Sequence, residues 1–216
     1  MGLLPEPAQL ALFLTSSWIL LVLPGPAVFY IVARSVSQGR SAGLVSTLGV
    51  AAGGLVHVFA AAAGLSALML SSANLFALVK ILGAAYLVYL GIRSLFLTRE
   101  IVDTETSLPV TSHAIIFREA LVVNILNPKT ALFFLAFLPQ FVDPYRGDAT
   151  LQFVLLGGIF CFMGLLSDGL YALGAGGLTR RFGHSSRSVR LRNRVAALTY
   201  FSLGMFTLTV SSDAQT

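Results

Sequence analysis

Apolar runs longer than the roughly 18 to 20 residues that cross hydrocarbon occupy most of this 216-residue chain. A backbone in lipid must satisfy its own hydrogen bonds, so runs of this length are read as helices. Composition agrees: 56% hydrophobic residues, 11% charged residues and a mean hydropathy of +0.84 leave too little polar surface to coat a soluble globule. The expectation is an all-α polytopic membrane protein with six transmembrane helices, at about 8–33, 43–70, 73–97, 114–142, 150–177 and 194–211. Residues 1–216 then form one transmembrane domain. Segments 39–42, 71–74 and 143–149 read as tight connections, and 98–113 as a longer polar loop to which no chemistry is assigned. The first run is not read as a cleaved leader, because no Lys or Arg precedes it, it is too long, and no small-residue cleavage site closes it.

Orientation follows from the basic residues, since cytoplasmic loops collect Lys and Arg. With the amino terminus outside, the inner face receives Arg34, Arg40, Arg93, Arg99, Arg118, Arg180, Arg181, Arg187, Arg190, Arg192 and Arg194, and the outer face only Arg146. Six spans then put both termini outside, although the last span is the shortest and most polar. The net charge of +5 is explained by this topology and by anionic lipid contact at Arg187 to Arg194, not by a nucleic-acid partner. The lone Cys161 has no partner for an intramolecular disulfide.

Three helices per half force the halves, about 8–97 and 114–211, into opposite orientations, which is the 3+3 inverted repeat of many secondary transporters. A shift of 104 residues lays Pro24 on Pro128 and Gly53-Gly54 on Gly157-Gly158. More telling, each half opens with a proline-broken helix. In the first, Pro24-Gly25-Pro26, each proline removes a donor, and the carbonyls of Leu20 and Val22 are freed. Such backbone is costly in hydrocarbon unless protein, water or a ligand satisfies it, so the break faces either a cavity or closely fitted neighbouring helices.

The second break, Asn124-Ile125-Leu126-Asn127-Pro128-Lys129, sets two amides three residues apart, frees the Asn124 carbonyl and adds a cation. Amides and carbonyls hold an ammonium group and Lys129 holds a carboxylate, so the cluster suits a zwitterion such as an amino acid. The competing account has Lys129 snorkelling or ion-paired and the asparagines bonded across helices. Snorkelling is hard from a position halfway along the span.

Asp168 is the one acid deep in an apolar run, with Tyr171 on its face. An intramembrane carboxylate can exchange a proton, and its depth matches that of the Pro-Gly-Pro break. An ion pair with Lys129 or Lys80 is the alternative. A lone His57 reads as a packed, hydrogen-bonded residue. Gly49 and Gly53 allow close helix contact, either within the chain or between copies in a homo-oligomer. Phe133, Phe134 and Phe137 read as lipid or core contact. An enzyme would need a nucleophile with a base, a metal cluster or paired carboxylates, and no span offers one; no cofactor or metal is expected. A non-transporting membrane scaffold stays open, because helix breaks can be structural.

These residues together resemble the LysE/RhtB family of amino-acid exporters. The likeness runs through Pro24-Gly25-Pro26, Gly39-Arg40 to Gly43, Gly49, Gly53, Lys80 to Gly83-Ala84-Ala85-Tyr86-Leu87, and Gly91. It continues through Asn124-Ile125-Leu126-Asn127-Pro128-Lys129, Phe133-Phe134 and Leu138-Pro139-Gln140-Phe141, and loosens after Tyr171. Arg192-Asn193-Arg194 leads into Ala196-Ala197 where glycine is expected. The resemblance implies export of amino acids or related small metabolites across the bacterial inner membrane, driven by protons. On that footing the two halves rock around a midplane site. Pro24, Gly25, Pro26 and Pro128 are then hinges, Asn124, Asn127 and Lys129 substrate contacts, and Asp168 with Tyr171 the proton site. A single intramembrane acid argues against a strongly basic substrate.

Overall fold

The computed structural model describes residues 3–65 and 110–182, with isolated positions 67, 72, 78, 81, 82, 85, 89 and 92 between them. Apart from those positions the third expected span, with Lys80, and the 71–74 connection lie outside the described residues, as do the sixth expected span and most of the 98–113 loop. Every described element is helical.

Helix α1 covers Pro7–Val22 and α2 covers Pro26–Gln38; each starts on a proline whose missing donor costs nothing in a first turn. Helix α3, Arg40–Ala60, continues as a π-helical turn to Leu65. After a gap, α4 spans His113–Ile125 behind the Ser112 cap, and α5 spans Pro128–Leu132 behind the Asn127 cap. A π-turn, Phe133–Phe137, and a 3-10 turn, Leu138–Phe141, extend α5, and α6 runs from Ala149 to Phe182. Segments Arg40–Leu65 and Ala149–Ala175 are each long and apolar enough to cross a membrane. The pairs α1 with α2 and α4 with α5 reach the same length and hydropathy together, bent by 49° and 47° at their breaks. The first expected run of 8–33 is therefore two helices hinged at the prolines, and it continues to Gln38.

The expected connection at 39–42 shrinks to one residue. Gly39, at φ +88°, ends α2 and starts α3, a backbone turn that a side chain would strain. At the other end, segment 143–149 forms the connection anticipated there, organised by buried Gln152. Its Oε1 accepts from the Asp143 amide at 2.9 Å, and its Nε2 donates to the Asp143 carbonyl at 2.7 Å and the Gly147 carbonyl at 3.3 Å.

Helix α3 is central, lying against α2, α4 and α6. Its glycines set the approach to α4. A Cβ at Gly53 would sit 2.7 Å from the Leu121 carbonyl oxygen, and one at Gly49 would run into the Phe117 carbonyl. Close contact at the Gly49 and Gly53 spacing is thus made within the chain. Leu48, Phe59, Phe162 and Leu170 point outward, each more than half exposed, as lipid-facing side chains do.

Two separate apolar clusters fill the interior. The larger is aromatic: Phe13, Phe133, Phe134, Phe137, Phe141, Phe153 and Phe160 are all buried, with Phe133 stacked on Phe160 at 3.6 Å between centroids. The smaller is made of short side chains, Ala27, Ile31, Val50, Ala120 and Ala172. The candidate site lies between them.

Candidate functional site

The two helix breaks are held by side chains from distant parts of the chain. Gly25 is extended (φ −128°, ψ −170°), so the chain leaves α1 with carbonyls that no helical amide reaches. Lys129 Nζ donates to the Leu23 carbonyl at 2.6 Å, and the Tyr171 hydroxyl donates to the Val22 carbonyl at 2.6 Å. Val22 is one of the two carbonyls expected to be freed. Leu23 was not among them, because its exposure comes from the extended turn and not from a proline four residues ahead. At the second break the freed Asn124 carbonyl accepts from the Asn127 amide at 3.1 Å and lies 3.2 Å from His57 Nε2. His57 also stacks on Phe134, at 5.7 Å between ring centroids, and so is a bonded, packed residue.

The two amides have different duties. Asn124 Nδ2 donates to the Val50 carbonyl of α3 at 2.7 Å, while its Oδ1 accepts from Thr130 Oγ1 at 2.9 Å and Asn127 Nδ2 at 3.4 Å. Both acceptor positions and one of its two donor hydrogens are committed. Asn127 Oδ1 caps α5 by accepting the Lys129 amide at 3.1 Å, leaving one Nδ2 hydrogen uncommitted. The Lys129 ammonium, with one bond made, has two hydrogens left.

These groups converge on one cavity of about 50 Å³. Gly25, Asn124, Asn127, Lys129, Thr130 and Asp168 form its polar side, and Leu21, Val28, Val50, Phe160 and Leu165 its apolar side. Asp168 is 7% exposed and, among the described residues, has neither a hydrogen bond nor an ion pair within 4 Å. A carboxylate and an ammonium thus face the same cavity without closing on each other. At about 10–15 Å³ for each water, the cavity has room for several waters and not for an amino acid.

The sequence model of the LysE type translocator family matches residues 18–211. The chain belongs to the LysE family. It is 27% identical over 205 residues to the leucine efflux proteins of Salmonella typhimurium (strain LT2) and Salmonella typhi, covering 93% of this chain and 94% of each of theirs. An uncharacterized membrane protein of Vibrio cholerae is 31% identical over 186 residues, 86% of this chain and 88% of that one. No solved structure matches the chain significantly.

This LysE-family member is a multi-pass membrane protein, and its cavity gathers residues from both breaks and from α6. Gly25, Asn124, Asn127, Lys129 and Asp168 meet there; Pro24, Pro26 and Pro128 flank it; Tyr171 caps α1 one turn beyond Asp168. Sequence reasoning missed Thr130, although a threonine beside the lysine of a broken apolar helix was a usable signal. It also counted Arg34 only as a topology charge and passed over Glu119. In the structure Arg34 is 3% exposed and its Nη2 donates to Glu119 Oε2 at 2.6 Å, an ion pair between α2 and α4.

Proposed function

We propose that this chain is a secondary carrier that exports neutral amino acids with apolar side chains across the bacterial inner membrane, each exchanged for an inbound proton. The observation that carries the reading is the cavity itself: two broken helices, one from each half, meet around an uncommitted carboxylate, an ammonium and a free amide hydrogen, opposite an apolar wall. That is the outline of a zwitterion with a hydrocarbon side chain. Relatives named as leucine efflux proteins support the same choice of substrate.

In this reading the substrate ammonium pairs with Asp168, and its carboxylate takes Lys129 and the free Asn127 hydrogen. Asn124 lines the cavity and acts chiefly by holding α3, Asn127 and Thr130 in place. Drawing Lys129 toward the substrate weakens its bond to the Leu23 carbonyl, so loading loosens the hinge formed by Pro24, Gly25 and Pro26. Pro128 hinges the other half. On the outer side a proton taken by Asp168 removes the partner of the ammonium, and the substrate leaves. Because one carboxylate serves proton and substrate in turn, the exchange is an antiport. The topology that serves it is six spans in two three-helix halves of opposite orientation, both termini outside, with alternating access produced by the halves rocking about the cavity.

The test is efflux of a labelled amino-acid panel from proteoliposomes under an imposed proton gradient. Saturable efflux of the aliphatic members, faster with the gradient and lost in Lys129→Ala, supports the reading. Absence of saturable flux for every amino acid rejects it and leaves a scaffold or an exporter of another metabolite.

A further inference from the structure

We propose that Tyr30, Arg34 and Glu119 form the cytoplasmic gate of this carrier, a latch that must break for substrate to enter from inside; the proposal rests on the exporter reading above. Glu119 Oε2 accepts from both Arg34 Nη2, at 2.6 Å, and the Tyr30 hydroxyl, at 2.7 Å. Arg34 Nε donates to the Tyr30 oxygen at 3.2 Å, and its Nη1 donates to Gln38 Oε1 at 2.8 Å. Gln38 in turn donates to the Thr111 carbonyl at 3.0 Å, just ahead of α4. Three of these links, Arg34 and Tyr30 to Glu119 and Gln38 to the Thr111 carbonyl, join α2 of the first half to α4 or the segment leading into it in the second, while the two bonds from Arg34 to Tyr30 and Gln38 lie within α2 and hold the donors in line. If the halves part at this end, the three crossing bonds break together.

The position suits a gate. Along α2, Arg34 lies nine residues past Gly25, about 13 Å at the helical rise, and on α4 Glu119 precedes Asn124 by five residues, about 7 Å. Both are displaced from the cavity toward the end of the molecule where the basic residues place the cytoplasm. Among the described residues, the small cluster of Ala27, Ile31, Val50, Ala120 and Ala172, with Tyr30 and Val123 packed on it, adjoins both the cavity and the latch. On the opposite side the cavity backs onto the aromatic cluster, and the ion pair there, Arg146 with Glu6, is exposed. Among the described residues the closure is polar at the cytoplasmic end, where Arg34 is buried and the Glu119 side chain is 44% exposed, and apolar at the other. A carrier that loads from the cytoplasm needs a releasable closure on that side. Charged hydrogen bonds suit it, because water replaces them as they open.

The chain carries its own reporter, since Cys161 is its single cysteine and lines the cavity. The experiment is the rate of Cys161 modification by a membrane-impermeant maleimide, in inverted vesicles for the cytoplasmic face and right-side-out vesicles for the other. Slow labelling is expected for the native chain. Glu119→Gln should raise the cytoplasmic rate roughly tenfold, Tyr30→Phe by a smaller factor, and Glu6→Gln not at all. Native-rate labelling in Glu119→Gln and Tyr30→Phe overturns the gate, and leaves the exporter reading intact if native efflux persists. Acceleration from the outer face, or equally from both faces, also overturns it. Acceleration from the cytoplasmic face alone supports the gate, even if native efflux assays fail and the exporter reading falls. Tyr30→Phe keeps the test available if Glu119→Gln does not accumulate.

Discussion

Asn124→Ala separates positioning from substrate contact. The substitution removes the bond to the Val50 carbonyl and takes the acceptor from Thr130 and Asn127, which are 8% and 4% exposed. Interhelical hydrogen bonds in membranes contribute about 0.6 kcal/mol on average and up to about 1.7, and an orphaned buried hydroxyl costs about 1–3 kcal/mol. One strong interhelical bond, one orphaned hydroxyl and one long bond at 3.4 Å add to roughly 2–4 kcal/mol of lost stability. The assay pairs the thermal midpoint of purified protein in detergent with the KM for efflux, normalised to folded protein in liposomes. A drop in midpoint on the order of 5–10 °C with KM changed less than about threefold, under 1 kcal/mol, is expected. Asn127→Ala should do the reverse, because its free hydrogen faces the substrate. An unchanged midpoint in Asn124→Ala with KM raised tenfold or more would refute the division of roles.

Asp168→Asn, a neutral side chain that leaves the substrate ammonium without its partner, should abolish both gradient-driven efflux and the exchange of labelled for unlabelled substrate read as counterflow, with the thermal midpoint retained. Tyr171→Phe leaves the Val22 carbonyl without its side-chain donor and should cost about 0.5–1.5 kcal/mol, measured as a lower thermal midpoint. Gly53→Val forces a side chain to within 2.7 Å of the Leu121 carbonyl and 2.9 Å of the Asn124 Cβ, so α3 and α4 must separate. Overpacking of this kind costs about 1–3 kcal/mol, and reduced accumulation in the membrane is expected. Gln152→Leu frees three bonds around the 143–149 connection and should speed proteolysis there in right-side-out cells, with the substrate KM unchanged.

Local chemistry was legible in the sequence, and pairings across the fold were not. Both helix breaks follow from proline removing a donor, and they lie where the prolines put them, at 23–25 and at 126–127. Asp168 and the first break were matched by counting depth along their helices, and they do line one cavity. What closes the break was hidden, since Lys129 and Tyr171 reach it across 106 and 149 residues. The latch failed differently. An arginine near a helix end has an adequate explanation in topology, and nothing local says that it turns inward to a glutamate 85 residues away. Gly49 and Gly53 announced close contact, but only the fold names α4 as the partner. The family resemblance supplied direction and substrate class, which no residue pattern here encodes.

The central claim is that one cavity exchanges an amino acid for a proton, and the most direct measurement records both at once. Liposomes loaded with leucine and a trapped pH indicator, with no imposed gradient, are diluted into leucine-free medium. The account predicts that the lumen acidifies as leucine leaves, that both signals saturate together with leucine concentration, and that Asp168→Asn abolishes the acidification while the protein remains folded. Leucine efflux without acidification would contradict antiport through Asp168, and no leucine-dependent efflux would contradict the proposed substrate.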